Sequence, residues 1–80
     1  MPDNAFTRWI PAYPGHLSRG DKVRVLHDAF ASEAGRTIHN GRVGVVVAVA
    51  SGDIIVKTTD DRKPALTEAR YPYYKLEKAV

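Results

Sequence analysis

Eighty residues, twelve Lys or Arg against nine Asp or Glu, and no cysteine describe one small domain with a net charge of +3. Without cysteine there are no disulfides and no thiolate zinc site, which fits a reducing cytoplasm as the expected location. The longest apolar run, residues 43–50, is too short to span a membrane, and the first five residues lack the basic-then-apolar order of a secretory signal.

Residues 1–19 carry Pro2, Pro11 and Pro14 beside Phe6, Trp9, Ile10 and Tyr13. Proline fixes φ and removes a donor, so the segment reads as an extended arm. Its aromatic side chains call for cover, either on the domain itself or in a partner. Residues 21–26 alternate polar and apolar side chains, as a half-buried strand does. A long loop follows over residues 27–42. Residues 28–34 form one or two helical turns in this reading, Gly35 ends them, and Asn40-Gly41 marks a turn.

Residues 43–50 are rich in valine and read as the second strand. Ser51-Gly52 reverses the chain into a third strand over residues 53–59. Residues 60–64 are polar and turn-forming, residues 65–70 return as a fourth strand, and residues 71–74 suit a 3₁₀ turn. Residues 75–80 alternate again and make a fifth strand. No segment supplies the two amphipathic helices that a ferredoxin-like α/β fold needs. The expected architecture is all-β: a five-stranded barrel over residues 20–80, with a long first loop, a 3₁₀ turn before the last strand and an N-terminal arm over residues 1–19. Closure removes exposed edges.

Three segments carry a likeness to a known family. Gly20-Asp21-Lys22-Val23-Arg24-Val25 matches a GD-x-V-x-V strand, and Gly41, Gly44, Val46 and Val49 fall on a G-x-x-G-x-V-x-x-V pattern. With Gly52-Asp53-Ile54-Ile55-Val56-Lys57, they resemble a KOW-type SH3-like domain over residues 20–58. The same skeleton is similar to the barrel domain of the nitrile hydratase β subunit, and in outline to barrel subunits of photosystem I and of ferredoxin–thioredoxin reductase. The first likeness implies a nucleic-acid ligand, RNA more than DNA. The others imply an accessory or regulatory subunit that docks on a larger protein.

Candidate residues follow from the chemistry of those ligands. Polyanion binding needs cations for phosphate and aromatic faces for bases. Arg24, Arg36, Arg42 and Lys57, joined by Lys75, supply the first; Tyr71, Tyr73 and Tyr74 supply the second. A sequence pI near 9.5 permits such a partner. Trp9 and Tyr13 are the candidate contacts for a protein partner. The same tyrosines beside Asp28 and Glu33 could instead line a groove for proline-rich peptide. His16, His27 and His39 are scattered and form no metal-ligand spacing, and no Gly-x-Ser-x-Gly elbow or phosphate-cradling loop occurs. Asp60-Asp61 reads as a turn. The sequence therefore points to a binding module with no catalytic site, metal or cofactor.

Overall fold

The computed structural model describes residues 8–80. The first seven residues of the expected arm, Phe6 among them, lie outside the described residues. Six strands are present among the described residues: β1 (Trp9–Pro11), β2 (Lys22–Val25), β3 (Val43–Ala50), β4 (Asp53–Thr58), β5 (Glu68–Pro72) and β6 (Leu76–Ala79). Short 3₁₀ turns lie at Thr37–His39 and Tyr73–Lys75. The strands form one antiparallel sheet in the order β1-β6-β2-β3-β4-β5. No described helix is long and apolar enough to cross a membrane.

The all-β expectation holds, but the five-stranded barrel is corrected to an open six-stranded sheet. Its ladder does not close: β1 and β5 are its two edges. Pro11 and Pro72 stand in those edge strands, where a missing N–H interrupts no interior ladder. The sixth strand comes out of the arm, with Trp9 opposite Ala79 and Ile10 opposite Lys78. Sequence reading discounts a three-residue strand that ends in proline, although an edge position accepts it. β5 starts three residues and ends two residues later than expected, which moves the following turn to Tyr73–Lys75, again because Pro72 is tolerated at an edge.

The core lies on one face of the sheet. Val23 and Val25 of β2, Val46 of β3, Ile54 and Val56 of β4, Tyr71 of β5 and Leu76 of β6 are all buried, in the alternation the sequence displays. Phe30 from the long loop joins them, as do Ala12 and Leu17 from the segment after β1. That segment is tied down at several points. Ala12 N–H donates to the Leu76 carbonyl (3.2 Å), and Lys78 Nζ donates to the His16 carbonyl (3.0 Å) while pairing with Asp21 (3.4 Å).

The long loop is a chain of single turns rather than a helix. Ala29, Ala31, Glu33 and Arg36 each donate to the carbonyl three residues earlier, at 2.8–3.1 Å. Ala31, at φ +44°, breaks the helical path. Asn40 at φ −61° and ψ 129° followed by Gly41 at φ +76° makes a type II turn, which delivers the chain into β3.

Two glycines explain the motif spacing. Gly41 supplies the positive φ of the turn. Gly44 faces β4 so closely that a Cβ there would strike the Lys57 carbonyl and come within 2.6 Å of Val56 Cγ1. At the β3–β4 hairpin Ser51 (φ +43°) and Gly52 (φ +89°) both adopt positive φ, a type I′ turn matched to the sheet twist. β3 then carries a bulge between Val46 and Ala48. Gly44→Ala is expected to destabilise the domain by about 1–3 kcal/mol, the cost of overpacking. Ser51→Asn is expected to stabilise it by about 0.5 kcal/mol, since Asn tolerates positive φ better. Urea denaturation of both variants checks the opposite signs.

Candidate functional site

The turn into β3 places Arg42 inside the protein, 2% exposed. Every guanidinium nitrogen has a partner. Nε donates to the Ile38 carbonyl (2.8 Å), Nη1 to Asp60 Oδ1 (3.1 Å) and the Arg62 carbonyl (3.0 Å), and Nη2 to the Pro64 carbonyl. Asp60 also accepts from Val43 N–H (2.8 Å) and Arg62 N–H (3.2 Å). One arginine thus joins residues 38–42 to the loop between β4 and β5. A second link runs outside it, from Arg62 Nη1 to the Asn40 carbonyl (3.0 Å).

Asn40 extends this tie into the long loop, its Oδ1 accepting from Phe30 N–H at 3.0 Å. Phe30 is thereby held against His39 and Tyr71, with ring centroids 5.5 and 6.1 Å away. The Tyr71 hydroxyl and His39 Nδ1 are hydrogen-bonded at 2.8 Å. Lys75, in the second 3₁₀ turn, lies 4.1 Å from the Phe30 ring centroid and donates to the Ala29 carbonyl (2.9 Å). Arg36 stands over the same ring at 5.5 Å.

Between the long loop and the second 3₁₀ turn these residues leave a cleft of about 270 Å³. Phe30, His39 and Tyr71 line it together with Pro72 and the exposed ring of Tyr74. Arg36, Arg70 and Lys75 line it as well, and no carboxylate does. Arg36 is 3.9 Å from Glu33 and Arg70 is 3.8 Å from Asp53, both exposed pairs at long range. Such pairs contribute little and yield easily to another anion.

The sequence-derived residues divide sharply. Arg36, Tyr71 and Tyr74, with Lys75, meet at this cleft. Two of the expected nucleic-acid contacts are corrected. Arg42 is buried with its donors satisfied, and Tyr71 is 1% exposed, so neither presents a free surface to phosphate or base. Arg24 lies elsewhere, bonded to Glu77 (2.8 Å) and stacked on Trp9 (4.6 Å). Lys57 is exposed on β4 between Val45 and Glu68, away from the cleft.

Tyr73 turns to a different cavity of about 250 Å³, lined also by Tyr13, Leu17, Val49 and Ile54. Trp9 and Tyr13 are therefore separated: Trp9 is half-buried under Arg24, and Tyr13 is exposed beside the apolar cavity. Asp28 and Glu33 line neither cavity. Among the described residues no three His, Asp or Glu side chains converge to hold a metal.

Sequence reading missed Phe30, His39 and Arg70 as parts of one site. Nothing local marks them, because the cleft exists only once the long loop folds back on β5. Comparison with protein-family models, with curated proteins and with solved structures finds no match.

Titration follows from this packing. Burial, with Arg36 and Arg42 nearby, lowers the His39 pKa below its ordinary 6.5. Burial raises the Tyr71 hydroxyl, with Asp60 adding to the rise and Arg42 opposing it. Burial alone would raise Asp60. The N–H groups of Val43 and Arg62 and the Arg42 guanidinium outweigh it and hold its carboxyl below the ordinary 3.8.

A lowered folded-state pKa means stability that is complete above the unfolded value and lost as pH falls through the folded one. Stability is therefore expected to decline in two acid steps. The first starts below about pH 6.5 and is absent in His39→Gln; the second starts below about pH 3.8 and is absent in Asp60→Asn. Urea midpoints measured from pH 3 to 8 resolve the two. Arg42→Ala leaves Asp60 without its ion-pair partner and is expected to cost about 3–5 kcal/mol, enough to unfold much of so small a domain.

Proposed function

We propose that this chain is an SH3-like module of KOW type that binds single-stranded nucleic acid, RNA in preference to DNA, and performs no catalysis. The observation that carries the reading is the convergence of Arg36, Arg70, Lys75 and the exposed Tyr74 on one cleft with no acidic residue in its lining. Phosphate needs the cations and an unstacked base needs the aromatic face.

The fold component of the proposal has its own support. β2 to β5 run as an antiparallel meander, a 3₁₀ turn follows, and β6 returns to lie beside β2. The two motif glycines each answer a steric demand, at Gly41 for positive φ and at Gly44 for close approach to β4. The preference for RNA rests on the KOW resemblance. A cytoplasmic location, where RNA is available, accords with it.

The test is fluorescence anisotropy with a short single-stranded RNA across a salt series. Three cations neutralising phosphate give an expected slope of log K against log salt near about −2. Arg36→Gln and Arg70→Gln should each flatten it by roughly 0.7, and Tyr74→Ala should cost about 1–3 kcal/mol of binding. Absence of binding at low salt contradicts the proposal, as does a slope unaffected by these cations.

A second reading has one observation in its favour. Tyr13 and Val49, each about half exposed at 52% and 51%, rim the apolar cavity that Leu17, Ile54 and Tyr73 line. Such a surface suits an accessory or regulatory subunit that docks on a larger protein. A purified chain whose cleft resonances do not move with RNA would favour this reading.

A further inference from the structure

We propose that the cleft takes the end of a strand, a terminal phosphate monoester on a nucleotide, rather than an internal phosphodiester. The inference rests on the cleft being a nucleic-acid site and specifies its ligand. Shape is the first argument. The cleft is small, with a volume of about 270 Å³. The buried rings of Tyr71 and Phe30 and the partly buried His39 wall it on the inner side. A small space walled on one side suits a single phosphate group better than a run of chain.

Charge is the second argument. A phosphodiester carries one negative charge, and a monoester carries about −1.5 to −2 at pH 7 on three terminal oxygens. Arg36, Arg70 and Lys75 place three cations around a single small space without a carboxylate among them. That concentration matches a dianion better than an isolated diester charge, which one arginine would satisfy. Lys75 is held in position by the Ala29 carbonyl and still has further N–H groups to offer.

Recognition groups for the attached nucleoside are present. Tyr74 is 64% exposed at the rim, set edge-on to Tyr73 with centroids 5.6 Å apart, and offers a face for a base. His39 Nδ1 is taken up by Tyr71, and its other ring nitrogen has no hydrogen-bond partner among the described residues. With His39 held neutral beside two arginines, the electrostatic attraction of the cleft comes from the three fixed cations. The charged or titratable groups around His39 are Arg36 on the long loop, Arg42 with Asp60 behind it, and Tyr71 on β5.

The experiment compares one RNA sequence bearing a 5′-phosphate, a 3′-phosphate or hydroxyl groups at both ends. Adenosine monophosphate, adenosine and inorganic phosphate are titrated separately against amide resonances. A strand phosphorylated at one of its ends should bind at least about tenfold tighter than the hydroxyl-ended strand, the worth of an added hydrogen bond to a charged group. Adenosine monophosphate should shift residues 36, 39, 70 and 74, and adenosine should not. Arg36→Gln should erase the advantage of the phosphorylated end while leaving the melting temperature unchanged.

Equal affinity for all three strands, with cleft resonances still moving, overturns the strand-end inference and leaves nucleic-acid binding standing. Inorganic phosphate binding as tightly as adenosine monophosphate overturns the nucleotide part, since the base then contributes nothing. Unmoved cleft resonances with every probe remove both the inference and the reading on which it rests.

Discussion

The structure depends on one buried cation. Arg42 enters the interior just before β3 and meets Asp60 and three backbone carbonyls there. A charge so placed is tolerable only when its donors are all satisfied, because an unpaired guanidinium in low dielectric is costly. Satisfying it fixes where the Ile38 carbonyl, the Arg62 carbonyl and the Pro64 carbonyl must lie. Two loops that share no strand pairing are thereby held in one arrangement, and Asn40 carries that arrangement on to Phe30.

From this constraint the cleft follows. The long loop presents Arg36 and Phe30 with its far end anchored, while β5, paired along β4, presents Tyr71 and Arg70 after a loop anchored to the same arginine. The arginines therefore fall into two classes. Arg42 builds the site and is spent within it, while Arg36 and Arg70 remain at the surface in weak pairs. Arg24 belongs to neither class, since Glu77 and Trp9 occupy it on another part of the sheet. Formal charge distinguishes none of these; burial and partners do.

Much of the sheet was legible in the chain. Alternation over β2 and β4, valine content in β3 and the Ser51-Gly52 reversal name those strands, because each is a local pattern with a local cause. β1 was hidden, because Trp9–Pro11 is short and proline-ended and is stable only as an edge added to β6. The openness of the sheet was hidden for the same reason: whether its edges meet is decided by long-range pairing. At the site, Arg36, Tyr74 and Lys75 were within reach of the argument that a polyanion needs cations for phosphate and aromatic faces for bases. Arg42 was misassigned because sequence registers an arginine beside a strand without registering the depth at which it lies. His39 acquires its role through a contact 32 residues away, with Tyr71, and Arg70 by lining the cleft opposite the long loop.

The division between a building arginine and binding arginines is tested most directly at the Arg42 Nε–H, by hydrogen exchange in the nuclear magnetic resonance spectrum. The structure predicts a slowly exchanging Nε–H that keeps its chemical shift when single-stranded RNA is added, while the Arg36 Nε–H exchanges fast and moves. An Arg42 Nε–H that exchanges as rapidly as that of Arg36, or that shifts on addition of RNA, would contradict the account.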